Sequence, residues 1–284
     1  MHAVLTGDAD LARESPTESV SYFVDQVDGT RSEPLPGTTA VVACWGDTAA
    51  VERDPTRAAV SVDGTRATPD AEGHHWGTVC PTDEAYRGQL LDRIATVGAN
   101  GDVRLTTVGF PGHEFCHCER CDDQFAASDH HDRAGWRASV LTDFVADTAD
   151  RVGGDLSVTL YPDPYPGASR ARTGLDPAAL EPHVDEFVVP LCGNYETPYW
   201  VETLARGFGT ELSGLDTSIS VQLSVDGTDV DRLHDVTRMV EPHCDRIVYG
   251  TFPEDVDTVE AVLDRQRAND AVVQAYGRMR ARNP

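Results

Sequence analysis

Three cysteines, Cys116, Cys118 and Cys121, stand in a C-x-C-x-x-C spacing within VRLTTVGFPGHEFCHCERCDDQF, residues 103–125. Thiolates spaced in this way put three soft ligands on one ion, and tetrahedral zinc takes a fourth. The candidates for that fourth place are Cys80, His113, His117 and the pair His130 and His131. Cys80 opens the helix that feeds the strand before the cysteines. A helix antiparallel to that strand brings Cys80 to the end where the knot lies. A shell of four thiolates is closed and structural, with no position left for water. Seven cysteines in a chain showing no secretory leader favour thiols and metal over disulfides.

The second set of chemically capable residues follows apolar runs along the chain. Glu114, Asp163, Glu196, Asp226 and Glu254 are candidate catalytic carboxylates, with Asp226 and Glu196 the preferred pair. Trp45, His113, Tyr161, Asn194, Tyr195 and Tyr249 are candidate ligand-binding residues beside them. Aromatic faces set among carboxylates suit sugar rings, which present apolar faces ringed by hydroxyls. Hydrolysis of a glycosidic bond needs two carboxyl groups across it, one to protonate the leaving oxygen and one as nucleophile or base. Cys44 and Cys192, each just past an apolar run, read as small buried hydrophobes.

Those residues need a frame, and the hydrophobic pattern supplies one. Strands are expected at 2–6, 38–45, 103–110, 156–161, 186–191, 217–223 and 246–250, rich in β-branched and aliphatic residues and bounded by Gly, Pro and Asp. Helices are expected at 83–97, 132–152, near 177–180, and at 200–208, 230–240 and 256–281. Ser15-Pro16-Thr17-Glu18 reads as a capping box opening a helix to about Val27. Residues 46–79 read as a long polar loop without helical period, of the kind that often forms a lid. One strand per 30 or so residues, alternating with helices, predicts a parallel sheet closed as a (β/α)8-type TIM barrel over 1–284, a single domain. Seven strands are counted. The eighth is either hidden in 46–79 or absent, which would leave the barrel open.

Cys80-Pro81 before the Tyr86-Arg87 helix, then a strand, then Cys116, Cys118 and Cys121 followed by Phe125, resembles the family 42 β-galactosidases and related glycosidase-like barrels. The resemblance covers roughly residues 40–150. It implies a glycosidase barrel and a structural zinc held by four cysteines, with Cys80 as the fourth ligand. In that family the strand before the cysteines ends in Asn-Glu, the glutamate being the catalytic acid; here it reads Thr106-Thr107-Val108-Gly109-Phe110. The expectation is therefore a carbohydrate-active hydrolase whose carboxylates stand elsewhere on the mouth. The alternative is a sugar-binding or scaffold protein that keeps barrel and zinc without the acid.

Composition narrows the partners. The formal net charge is -25 and every base is arginine, with no lysine in the chain. A dense carboxylate coat is a device of proteins adapted to high salt. With no basic stripe to neutralise phosphates, nucleic acid is not an expected partner. No 18-residue apolar run is present, so no membrane span is expected, and the location read from the sequence is cytoplasmic. A carbohydrate or other small polyhydroxylated ligand is the expected partner, and an oligomer is compatible with the sequence.

Overall fold

The computed structural model describes residues 1–281 apart from Pro164, Pro166 and Asn194, with side chains described to residue 268. Eight parallel strands close into a barrel in sequence order: β1 His2–Thr6, β2 Ser19–Asp25, β3 Thr39–Ala43, β4 Val103–Thr106, β5 Leu156–Thr159, β6 Glu186–Pro190, β7 Ser218–Ser224 and β8 Arg246–Gly250. The seam is made by β1 against β8, pairing Val4 with Tyr249. The helices are α1 Ala9–Arg13, α2 Thr48–Arg53, α3 Glu84–Val97, α4 Glu119–Ala127, α5 Arg133–Ala149, α6 Ala168–Thr173, α7 Pro177–Leu180, α8 Pro198–Glu211, α9 Val230–Val240 and α10 Val256–Ala281. No described helix is long and apolar enough to cross a membrane.

The eighth strand corrects the sequence reading. Residues 19–25, expected as helix, form β2 between β1 and β3. Ser15 does not cap a helix. Its hydroxyl accepts the Thr17 N–H, and the Thr17 hydroxyl in turn donates to the Ser19 carbonyl, a local turn that launches an extended chain. Val20, Tyr22, Phe23 and Val24 then favour a strand over a helix. The segment 46–79 also departs from expectation. It holds α2, capped by Asp47, and a 3-10 turn at Pro55–Arg57. Bridges Gly46↔Thr78, Ala58↔Val79 and Ser61↔Phe115 stitch it down.

Aspartate has a further task here. The carboxylates of Asp8, Asp47, Asp83, Asp132 and Asp229 accept backbone N–H groups at the starts of α1, α2, α3, α5 and α9. Each satisfies an orphan donor and meets the positive end of the helix dipole. These helices start at the C-terminal ends of the strands, so much of the acid around the mouth is structural.

The barrel interior is divided. Ala3, Leu5, Phe23, Val41 and Val248 form a small apolar cluster separate from the main core. Strands β4 to β8 bring polar groups instead. Glu186 accepts hydrogen bonds from Ser157 (3.0 Å) and Ser220 (2.5 Å) and lies 3.7 Å from Arg246. Arg104, 3% exposed, donates to Thr159 at 2.9 Å and to the Oε1 of Gln222 across the axis. Burial pulls its guanidinium pKa down to about 10, against the pull of Glu186.

Candidate functional site

The four cysteines meet as a cluster in which every sulfur lies within 4.8 Å of the others. Cys80 Sγ is 3.3 Å from Cys121 Sγ and 3.8 Å from Cys118 Sγ. Four thiolates at about 2.3 Å from one zinc stand roughly 3.8 Å apart, so the set fits a tetrahedral ion. Val60 N–H points to Cys116 Sγ at 3.3 Å, and the Thr82 hydroxyl lies 3.2 Å from both Cys80 and Cys121. Cys118 and Cys121 occupy the N-cap and first turn of α4, where the helix dipole favours thiolate. His113 is not part of the cluster. Its Nδ1 faces the Glu114 carboxylate at 3.1 Å on an exposed turn. His117 instead faces Asp122, at 3.6 Å.

Two arginines that the sequence reading passed over hold the knot loop. Arg137, buried, donates to the carbonyls of Gly112, Phe115 and Ala171. Arg133 donates to the Cys116 carbonyl and to Asp122, with its guanidinium 4.9 Å above the Phe125 ring. The knot thus joins the connection after β3 to the connection after β4.

At the C-terminal ends of the strands lie three cavities. The first, about 280 Å³, sits over β4 and β5, with Trp76, Thr106, Thr107, Thr159 and Tyr161 among its walls. Thr107, in the left-handed region at φ 51°, ends β4 and accepts the Gly46 N–H on its hydroxyl. The second, about 360 Å³, lies between the β6 loop and α8, walled by Cys192, Tyr195, Glu196 and Trp200. The third, about 540 Å³, spans the ends of β1, β2, β7 and β8, with Asp8, Phe23, Gln222, Asp226 and Phe252 on its walls.

Among the five candidate carboxylates, Glu196 and Asp226 line these cavities, and the two cavities meet at Cys192. Asp163 is engaged by Arg172 at 3.6 Å, and that guanidinium lies 4.7 Å above the Tyr161 ring. Glu254 is exposed on the turn Pro253–Asp255, just beyond Phe252. Glu114 remains on the knot loop, away from the cavity walls. Asp8, not anticipated, lines the third cavity while capping α1.

The aromatic expectations divide more sharply. Trp45 is wholly buried, 4.7 Å from Phe144 and 6.1 Å from Tyr86 between ring centres, and leaves no face for a ligand. Tyr249 is also buried; it stacks on His2, and its hydroxyl lies 3.2 Å from that of Thr237 on α9. Tyr195, at φ 53°, is a strut: its phenolic oxygen accepts the Ser224 N–H at 2.6 Å, and burial pushes its pKa up to about 12. Asn194 lies outside the described residues. Among the described residues, Tyr165 after β5, Tyr199 and Trp200 in the first turn of α8, and Phe252 after β8 do stand exposed. Cys192, expected to be buried, stands exposed at the mouth, with Gln222 Nε2 3.6 Å from its sulfur.

No protein-family model matches this sequence, and no curated protein does. Solved structures do resemble it. The glycoside hydrolase domain of PgaB (BpsB) from Bordetella bronchiseptica superposes with a TM-score of 0.68 at 12% identity, covering 90% of this chain and 94% of that one. Alpha-L-fucosidase isoenzyme 2 from Paenibacillus thiaminolyticus gives 0.69 at 10% identity, over 95% of this chain and 50% of that one. A GH18 chitinase from Pseudoalteromonas aurantia gives 0.50 at 12%, over 93% and 98%. At such identities the likeness is one of fold alone, that of a TIM barrel.

Proposed function

We propose that this protein is a carbohydrate-active hydrolase working at the C-terminal mouth of its barrel, with a structural zinc in the knot. The observation that carries this reading is the rim: exposed Trp200, in the first turn of α8, and exposed Phe252, after β8, line the cavities bearing Glu196 and Asp226, and Tyr165 and Tyr199 are exposed on the segments after β5 and β6. Exposed aromatics are costly in water, and a sugar ring that stacks on one covers it.

In the proposed reaction Glu196 and Asp226 share the work. One protonates the glycosidic oxygen as its bond to the anomeric carbon breaks. The other attacks that carbon or draws a proton from water, and water finally supplies the hydroxyl. The fold similarity to glycoside hydrolases raises the weight of this reading, and the likeness to family 42 rests on the cysteine motif. Cys80, Cys116, Cys118 and Cys121 would hold the zinc, whose closed shell supplies no catalytic position and fixes the walls of the first cavity.

A second reading, a sugar-binding protein without turnover, draws on two features. The end of β4 carries threonine, and Asp163 is occupied by Arg172. A screen of polysaccharides for reducing-end release separates the two. Release by the wild type that is abolished in both Glu196→Gln and Asp226→Asn supports hydrolysis. Binding with no release by any form supports the second reading.

A further inference from the structure

The three cavities of the mouth form a row with shared walls. Pro162 and Pro190 belong to both the first and the second, and Cys192 to both the second and the third. Each cavity has an aromatic of its own: Trp76, Trp200 and Phe252 in turn. A site for one small molecule occupies roughly 300–1,000 Å³. The second and third cavities fall in that range and the first, at about 280 Å³, lies just below it, so the row is of the size for several rings.

The walls also differ in charge. Carboxylates line the second and third cavities, while the first has threonine hydroxyls and aromatics but no acid. Among the described residues no arginine or histidine lines any of the three. Arg104, buried on β4, donates to Gln222 and Thr159. Because Gln222 Oε1 accepts from Arg104, its Nε2 is left as the donor at the mouth, beside Cys192. An acidic mouth on a chain of net charge -25 repels an anionic glycan at every approach.

We infer that the mouth takes a neutral oligosaccharide chain of at least three units, cleaved or held between the second and third cavities with a flanking unit on Trp76. This specificity rests on the carbohydrate reading above. A chain gains contacts with each added unit until the row is filled, whereas a single terminal sugar would use one cavity only. A uronic acid unit in the second or third cavity would meet Glu196, Asp8 or Asp226 on walls that, among the described residues, carry no arginine or histidine.

The test is calorimetric titration of the full chain, as Glu196→Gln to stop turnover, with xylo-, cello-, laminari-, malto- and chito-oligosaccharides of one to six units, and with oligogalacturonides. One neutral series is expected to bind at least 10-fold more tightly at three or more units than as the monosaccharide, and oligogalacturonides at least 10-fold more weakly. Trp76→Ala is expected to weaken the longest ligand about 2- to 10-fold, the scale of one aromatic contact. A monosaccharide bound as tightly as the hexamer, or a preference for oligogalacturonides, overturns the inference while leaving a carbohydrate site intact. Absence of binding across every series overturns the carbohydrate reading and this inference together.

Discussion

The phenolic oxygen of Tyr195 accepts the backbone N–H of Ser224 at 2.6 Å, tying the loop after β6 to the end of β7. Glu196, next to Tyr195, and Asp226, two residues beyond Ser224, line adjoining cavities on either side of that bond. Tyr195→Phe leaves the ring in place and removes the acceptor. The expected cost is about 1–3 kcal/mol from the unsatisfied N–H. On the proposed function, turnover is expected to fall more than ligand affinity, because the loop still packs while the proposed catalytic Glu196 is less well aimed. Unfolding midpoints and a kcat against KM comparison check this.

Arg104 and Gln222 give a second prediction. Gln222→Leu removes an acceptor from a buried guanidinium whose Nη1 already has no partner. Hydrogen bonds to charged groups contribute about 1.5–3 kcal/mol, and a loss of that order is expected in denaturant unfolding. Arg104→Met is expected to cost less when combined with Gln222→Leu than the two single changes summed, because the partners interact directly. Strict additivity would show that the pair is not coupled.

The proposed zinc gives a third prediction. Chelation, or Cys118→Ser, is expected to abolish stoichiometric zinc and to lower the melting temperature, since metal binding to the native cluster is folding free energy. The walls nearest the knot, around Val108 to Pro111, should lose hydrogen-exchange protection before β6 to β8. Unchanged zinc content and melting in Cys118→Ser would contradict the four-thiolate site.

Asp25 gives a dependence on pH. Burial raises its pKa, with Arg93 at 3.1 Å acting against the rise. The folded state then holds a proton that the unfolded chain has released, so stability falls as pH rises upward from the ordinary value of 3.8. Asp25→Asn removes this slope. The melting difference between wild type and variant is expected to shrink or reverse from acid to neutral pH. A difference that grows with pH would mean that the ion pair with Arg93 dominates.

Much of the frame was legible in the sequence, because strands β3 to β8 are apolar runs broken by Gly, Pro and Asp at regular intervals. β2 was not, since a Ser-Pro-Thr-Glu string is a good helix start on paper, and only the hydroxyl turn it actually makes decides otherwise. Three members of the cysteine cluster were legible through their spacing, while the fourth, Cys80, was one candidate among several until the resemblance to family 42 pointed to it. The aromatic rim was less so. Tyr249 sits next to Val248, which faces the barrel interior, so strand alternation sends the tyrosine outward to α9. Trp45 lies two residues beyond the end of β3, where alternation no longer applies. Arg104 did leave a signal: a charge in the middle of an apolar strand asks for a buried partner.

The most direct test of the central claim is a crystal structure of Glu196→Gln with a bound oligosaccharide from a series it recognises. The account predicts sugar rings along the cavities walled by Trp76, Trp200 and Phe252, with the side chains of residues 196 and 226 on either side of one glycosidic bond. Their separation would be about 5–5.5 Å for a retaining enzyme or roughly 6.5–9.5 Å for an inverting one. Sugar bound away from the mouth, or carboxyl groups of Glu196 and Asp226 facing no common bond, would contradict it.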